Sequence, residues 1–219
     1  MESQAVDRSA QKPVRTGPAT RAVLFDLGNV LVSFSHDLMV RQVAACLGVS
    51  ETEVRALFME GGLLAAYERG RTTTEEMYEQ IIQIARRRPS LEELIEAASN
   101  IFWPNPEMET IVTELLQRGV PLAVVSNTCP IHIDWITARY PFFRDIPHKV
   151  LSYEVGAAKP DRRMYERALS LVGTRPEETL FFDDTPANVI GAARLGIRAH
   201  RFESPAQARR ILRQLGLLD

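Results

Sequence analysis

Cysteine and lysine are both scarce in this 219-residue chain. Two cysteines, Cys46 and Cys129, cannot build a disulfide framework, so a reducing cytoplasm is the expected compartment. Long apolar runs are also missing. The longest uncharged stretch, Gly119 to Ile133, is broken by Pro121 and Pro130, which excludes a bilayer-spanning helix, and no membrane partner is expected. Residues 1–20 hold charges and prolines but no apolar segment, so they read as a disordered leader rather than a secretory signal. An excess of positive charge is absent too: 26 basic against 28 acidic residues give a net charge of −2, which argues against a nucleic-acid partner. Of the 26 basic residues only Lys12, Lys149 and Lys159 are lysines, so a lysine placed where a compact point charge is useful carries information.

What is present is an ordered alternation of apolar strands and helices. Residues 21–26 open it with the continuous apolar run Ala22-Val23-Leu24-Phe25, suited to a strand buried on both faces and ending on a carboxylate. Helix-period segments follow at 37–47, 51–60, 74–88 and 91–102, with no strand expected between them. Their starts carry capping boxes at Ser50 with Glu53, Thr73 with Glu76, and Ser90 with Glu93. From Asn105 onward strands near 121–125, 149–152, 179–182 and 197–202 alternate with helices, which predicts a doubly wound α/β fold with a parallel sheet. The expected organisation is a core of 21–34 plus 104–219 with an inserted α-helical cap at 35–103.

Open α/β sheets bind ligands beyond the carboxyl ends of their strands. Those ends are Phe25-Asp26-Leu27-Gly28-Asn29-Val30, Val125-Ser126-Asn127-Thr128 and Phe182-Asp183-Asp184-Thr185, with Lys159-Pro160 on the intervening loop. Alone, Asp26 is a turn former, Asp183-Asp184 a helix cap and Lys159 a surface charge. Together at one sheet edge they read as one site. Three clustered carboxylates repel one another unless a hard cation neutralises them, and carboxylate plus carbonyl oxygen is the ligand set that Mg²⁺ prefers. Lys159 and the amides after Asp26 then remain for an anionic ligand.

These four motifs, in this order, resemble those of the haloacid dehalogenase superfamily, most of whose members are phosphatases. The helical block resembles the small helical cap of one large branch, and the Asp-Leu-Gly-Asn-Val form resembles a branch that includes α-glucose-1-phosphate phosphatase. The resemblance implies Asp26 as the nucleophile that forms an aspartyl-phosphate, with Mg²⁺ held by Asp26, the carbonyl of Gly28 and Asp184. It implies phosphate contacts from Leu27, Gly28, Ser126, Asn127 and Lys159, and a role for Asp183 in orienting Lys159 or a metal-bound water. The implied partner is a small phosphorylated metabolite such as a hexose 1-phosphate; oligomeric state is left open.

One position departs from the family pattern. The second aspartate of the first motif, which protonates the leaving group, is Gly28 here. An anomeric phosphate leaves readily enough to ease that loss, and restoring an acid with Gly28→Asp is expected to broaden activity toward alkyl phosphates. His36 is the nearest substitute donor in sequence, with a solvated helix-start histidine as the plainer reading. Cap loops at Gly61-Gly62 and Glu68-Arg69-Gly70-Arg71 are expected to face the substrate, with Arg69 and Arg71 read chiefly as solvated helix-end cations. Trp103 is expected to pack at the hinge, and Leu63, Leu64 and residues 81, 82 and 84 to form the cap's own core. Two competing readings are a 2-haloacid dehalogenase, which needs no metal, and a catalytically weakened domain that binds phosphate, metal or a partner protein.

Overall fold

The run Ala-Val-Leu-Phe forms β1 (Ala22–Phe25), all four residues buried, and β2 (Val32–Phe34) follows a tight loop. Helices then succeed one another: α1 (His36–Leu47), α2 (Glu51–Arg55), α3 (Leu63–Tyr67), α4 (Thr74–Ile82) and α5 (Leu91–Ser99). β3 (Phe102–Pro104) returns to pair antiparallel with β2, and α6 (Pro106–Gln117), β4 (Leu122–Ser126), α7 (Pro130–Arg139) and α8 (Pro141–Asp145) come next. The chain closes through β5 (His148–Leu151), α9 (Ser152–Val155), α10 (Arg162–Val172), β6 (Thr179–Asp183), α11 (Pro186–Ala193), β7 (Arg198–Arg201) and α12 (Pro205–Gln214). The structure is a computed structural model and describes residues 19–219, so the leader expected at 1–20 lies almost wholly outside the described residues.

The main sheet runs β5-β4-β1-β6-β7 with every pairing parallel, a doubly wound α/β arrangement. Strand side chains alternate between faces, and each face has its own apolar layer. Val23, Phe25, Val124, Leu180 and Phe182 pack with α6, α7 and α12 on one side. Ala22, Leu24, Ala123, Val125 and Phe181 pack with α10 and α11 on the other. Two-sided burial explains why these strands are apolar at successive positions. Because β1, β4 and β6 are parallel and in register, Asp26, Ser126 and Asp183 emerge at the same edge. Strand order diverges to either side of β1, which opens a crevice at that edge.

The helices of 36–99 bury a separate cluster built on Met39, Val43, Leu47, Phe58, Tyr67 and Ile81, which also takes in Cys129 and Ile131 from the start of α7. Ser50, Thr73 and Ser90 each form the expected capping box, satisfying amides that the first helical turn cannot. Several expectations need correcting. The segment 51–60 is not one α-helix: after Arg55 it widens into a π turn over Ala56–Glu60. The helix expected to reach 88 ends at Ile82, and the one expected to reach 102 ends at Ser99. The β2–β3 ribbon was not expected, nor were the short α8 and α9. Leu63, Leu64 and Ile81 are buried as expected, whereas Ile82 and Ile84 are only half-buried. Trp103 lies on β3 opposite Ser33, where the chain rejoins the core, but stands 46% exposed. Among the described residues no helix is long and apolar enough to cross a membrane.

Candidate active site

Residues from the β1, β4, β5 and β6 ends meet at the floor of a cavity of about 300 Å³. Lys159, on the loop between α9 and α10, is the centre of that floor. Its Nζ lies 2.7 Å from Asp26 Oδ1 and 2.6 Å from Asp183 Oδ2, with the lysine side chain 1% exposed. Both carboxylates hold Lys159 in its charged form against the opposing effect of burial, so its pKa is raised. Burial pushes Asp26 up to about 7, with Asp183 adding to the rise and Lys159 working against it. Oxygens of Asp26, Asp183 and Asp184 lie within 4.8 Å of one another, a group able to hold a metal ion.

Each carboxylate is positioned differently. Asp26 Oδ1 also accepts from the Leu27 amide at 2.7 Å, and Oδ2 accepts from no described residue. Asp183 is fully buried behind Lys159 and does not line the cavity. Its oxygens accept from Lys159, from Asn188 Nδ2 at 3.1 Å to each, and from the Thr185 amide at 2.8 Å, so its acceptor capacity is taken up. Asp184 is half-buried at the cavity wall and accepts from Asn29 Nδ2 at 3.2 Å and Thr185 Oγ1 at 3.1 Å. Asn29 can reach it because its backbone is left-handed, φ 56°, a conformation that asparagine tolerates better than most residues.

Asp26, Leu27, Gly28, Ser126, Asn127, Lys159 and Asp184 all line the cavity as the sequence suggests. Two of them are engaged in ways the sequence did not indicate. The Leu27 amide, expected for phosphate, donates to Asp26. The Asn127 carboxamide, likewise expected for phosphate, clamps the backbone of Lys159: Oδ1 accepts from Lys159 N at 2.7 Å and Nδ2 donates to Lys159 O at 3.1 Å. Its side chain therefore fixes the lysine loop. Among the described residues Ser126 Oγ makes one long contact, 3.4 Å, to Asn127 O.

The ring of Phe34 fills the room above Gly28. A Cβ at position 28 would lie 2.6 Å from Phe34 Cε1 and 3.0 Å from Cδ1, closer than carbon atoms pack. Glycine at this position is thus matched to Phe34, and Gly28→Asp alone does not simply restore an acid. His36, solvent-accessible at the cavity rim, packs edge-on to Phe34 at 4.9 Å rather than standing free of the site. Burial lowers its pKa. Phe102, His132 and Glu68 complete the wall; the loop holding Glu68 is expected there, whereas no sequence signal points to Phe102 or His132. His132 is buried, hydrogen-bonds through Nε2 with Ala98 O at 3.2 Å, and is pushed down to about 4. Arg69 and Arg71 do not line the cavity. Arg69 donates to Ala65 O at 3.0 Å, and Arg71 lines a separate depression beside Gly61 and Gly62.

The chain is 26% identical over 199 residues to the D-ribitol-5-phosphate phosphatase of Bacteroides thetaiotaomicron, covering 87% of this chain and 95% of that protein. It is 28% identical over 203 residues to the phosphoserine phosphatase of Thermus thermophilus, covering 83% and 81%. A haloacid dehalogenase family enzyme from B. thetaiotaomicron, solved as its magnesium complex, shares the fold with a TM-score of 0.77 at 22% identity, over 90% of this chain and 100% of that one. Residues 20–196 match the haloacid dehalogenase-like hydrolase family, and the chain belongs to that family of hydrolases.

Proposed function

We propose that this chain is a Mg²⁺-dependent phosphatase that hydrolyses a small phosphomonoester through an aspartyl-phosphate on Asp26. The observation that carries the reading is the floor itself: three carboxylates within 4.8 Å and one buried ammonium pinned between two of them. Three negative groups against one positive leave the floor short of positive charge, and hard oxygen donors suit Mg²⁺. Asp26, Asp184 and the carbonyl of Gly28 would hold the ion, since the oxygens of Asp183 are already taken. When bound, the ion supplies Lewis-acid neutralisation of the phosphoryl oxygens.

Asp26 attacks phosphorus with its carboxylate, the P–O ester bond breaks, and the alcohol leaves with a proton from solvent. Water then adds to phosphorus, the bond to Asp26 breaks, and inorganic phosphate departs as the carboxylate is restored. Lys159 neutralises charge on the transferring group, where most of the catalysis of phosphoryl transfer lies. Asp183 and Asn127 hold Lys159 by its side chain and its backbone. Ser126 turns its hydroxyl to a phosphate oxygen. Residues 35–103 act as a helical cap hinged on the β2–β3 ribbon, and closure excludes water. Two free thiols suit a cytoplasmic enzyme.

With no acid at position 28, esters with good leaving groups turn over fastest, a sugar 1-phosphate ahead of a simple alkyl phosphate. The named relatives, phosphatases of a polyol phosphate and of phosphoserine, agree with a small phosphorylated substrate. The test is phosphate release from p-nitrophenyl phosphate, α-glucose 1-phosphate and glucose 6-phosphate, with Mg²⁺ or with EDTA, beside halide release from a 2-haloacid. Metal-dependent phosphate release supports the reading. Halide release without metal, or no turnover at all, replaces it with the dehalogenase or the binding domain.

A further inference from the structure

The cavity has two chemically unlike ends. Its floor is ionic, whereas its roof is neutral except for one residue. Glu68 closes α3 and lines the cavity, yet its carboxylate makes no hydrogen bond or salt bridge with any described residue. The adjacent Arg69 is turned away, its guanidinium donating to the carbonyl of Ala65 at 3.0 Å. Among the described residues no lysine or arginine lines the roof. Phe34 and Phe102 are apolar, burial pushes His132 down to about 4, and the pKa of His36 is lowered as well. Lys159, the fixed cation of the cavity, is engaged by Asp26 and Asp183 on the floor.

Glu68 is also held in place. Gly70, two residues on, sits against the core with φ 64°, and a Cβ there would lie 2.3 Å from the carbonyl oxygen of Tyr153 in α9. Only glycine fits that approach, so the turn carrying Glu68 is docked on the sheet side of the cavity. Burial raises the Glu68 pKa, outweighing the opposing charge of the neighbouring Arg69. A half-buried acceptor of this kind leaves its hydrogen-bonding capacity to the ligand.

We propose that Glu68 reads hydroxyl groups on the organic part of the substrate, so that the site takes phosphate esters of neutral polyhydroxy alcohols and rejects esters carrying a second anion. This rests on the phosphatase reading above. A hydroxyl finds an acceptor in Glu68 and neutral imidazoles beside it. A second carboxylate or phosphate finds no cation on the roof and meets the oxygens of Glu68 instead, an unpaired arrangement that discriminates strongly in a closed site.

The experiment compares kcat/KM for matched pairs that differ by one group: sorbitol 6-phosphate against 6-phosphogluconate, and glycerol 3-phosphate against 3-phosphoglycerate. Wild-type enzyme is expected to prefer the alcohol member of each pair by about tenfold or more. In Glu68→Lys that preference should fall by about tenfold or reverse, and in the isosteric Glu68→Gln it should fall by a smaller factor. A wild-type preference within about twofold, or an unchanged preference in Glu68→Lys, overturns the proposal. Wild-type turnover of p-nitrophenyl phosphate separates the two failures: its absence defeats the phosphatase reading, while its presence with no selectivity defeats only the role of Glu68.

Discussion

Gly28→Asp tests whether Phe34 and Gly28 are matched. A Cβ at position 28 would meet Phe34 Cε1 at 2.6 Å, and carbon atoms pack at about 3.5 Å or more, so the ring must move by roughly 1 Å. Phe34 is half-buried between His36, 4.9 Å away, and Phe102, 6.1 Å away, so the displacement disturbs both contacts. Overpacking of that size costs about 1–3 kcal/mol. In a Phe34→Ala background the obstacle is gone, and Gly28→Asp should cost less than about 0.5 kcal/mol. Urea unfolding of the four members of the cycle gives the coupling directly, expected at about 1–2 kcal/mol. The double variant, with room for its new carboxyl group, should gain turnover of alkyl phosphates relative to Phe34→Ala, within the ~10²–10⁴-fold range of general acid catalysis. Equal destabilisation by Gly28→Asp in both backgrounds would refute the steric argument.

Two further outcomes follow from buried charge. Lys159→Met removes the cation that bridges Asp26 and Asp183, whose side chains are 12% and 0% exposed, and should destabilise the fold by about 3–5 kcal/mol in urea unfolding; a loss under about 1 kcal/mol would contradict the pinned-lysine geometry. His132 is lowered from 6.5 to about 4 by burial, so the unfolded chain binds a proton there that the folded chain refuses. Its stabilising effect is present above the unfolded pKa and is lost as pH falls from 6.5 toward 4. At about 1.4 kcal/mol per pKa unit, wild type should lose about 3 kcal/mol more than His132→Gln across that window, and parallel stability curves for the two proteins would exclude it.

The core was legible because parallel strands buried on both faces leave continuous apolar runs, and because the residues after them share one edge. Asp26, Ser126, Lys159 and Asp184 stand on the cavity for that reason. The β2–β3 ribbon was not legible: three-residue strands show no period, and the partners lie some seventy positions apart in the chain. Roles within the site were hidden for a different cause. Asn127 and Leu27 have the chemistry to bind phosphate, yet which acceptor each one meets is decided by loop geometry that no motif encodes. Phe102 and His132 were hidden because their elements belong to other parts of the chain and converge on the cavity only in three dimensions. The same holds for Phe34, whose ring explains Gly28 although six positions separate them.

The central claim is that Asp26 carries metal-dependent phosphoryl transfer. The most direct measurement is steady-state phosphate release by wild type and Asp26→Asn, each with saturating Mg²⁺, with circular dichroism confirming that both are folded. Loss of the nucleophile should lower kcat by at least ~10³-fold, leaving only what positioning and charge neutralisation provide. A folded Asp26→Asn enzyme that retains turnover within about tenfold of wild type would show that another group attacks phosphorus, and the account of this floor would fail.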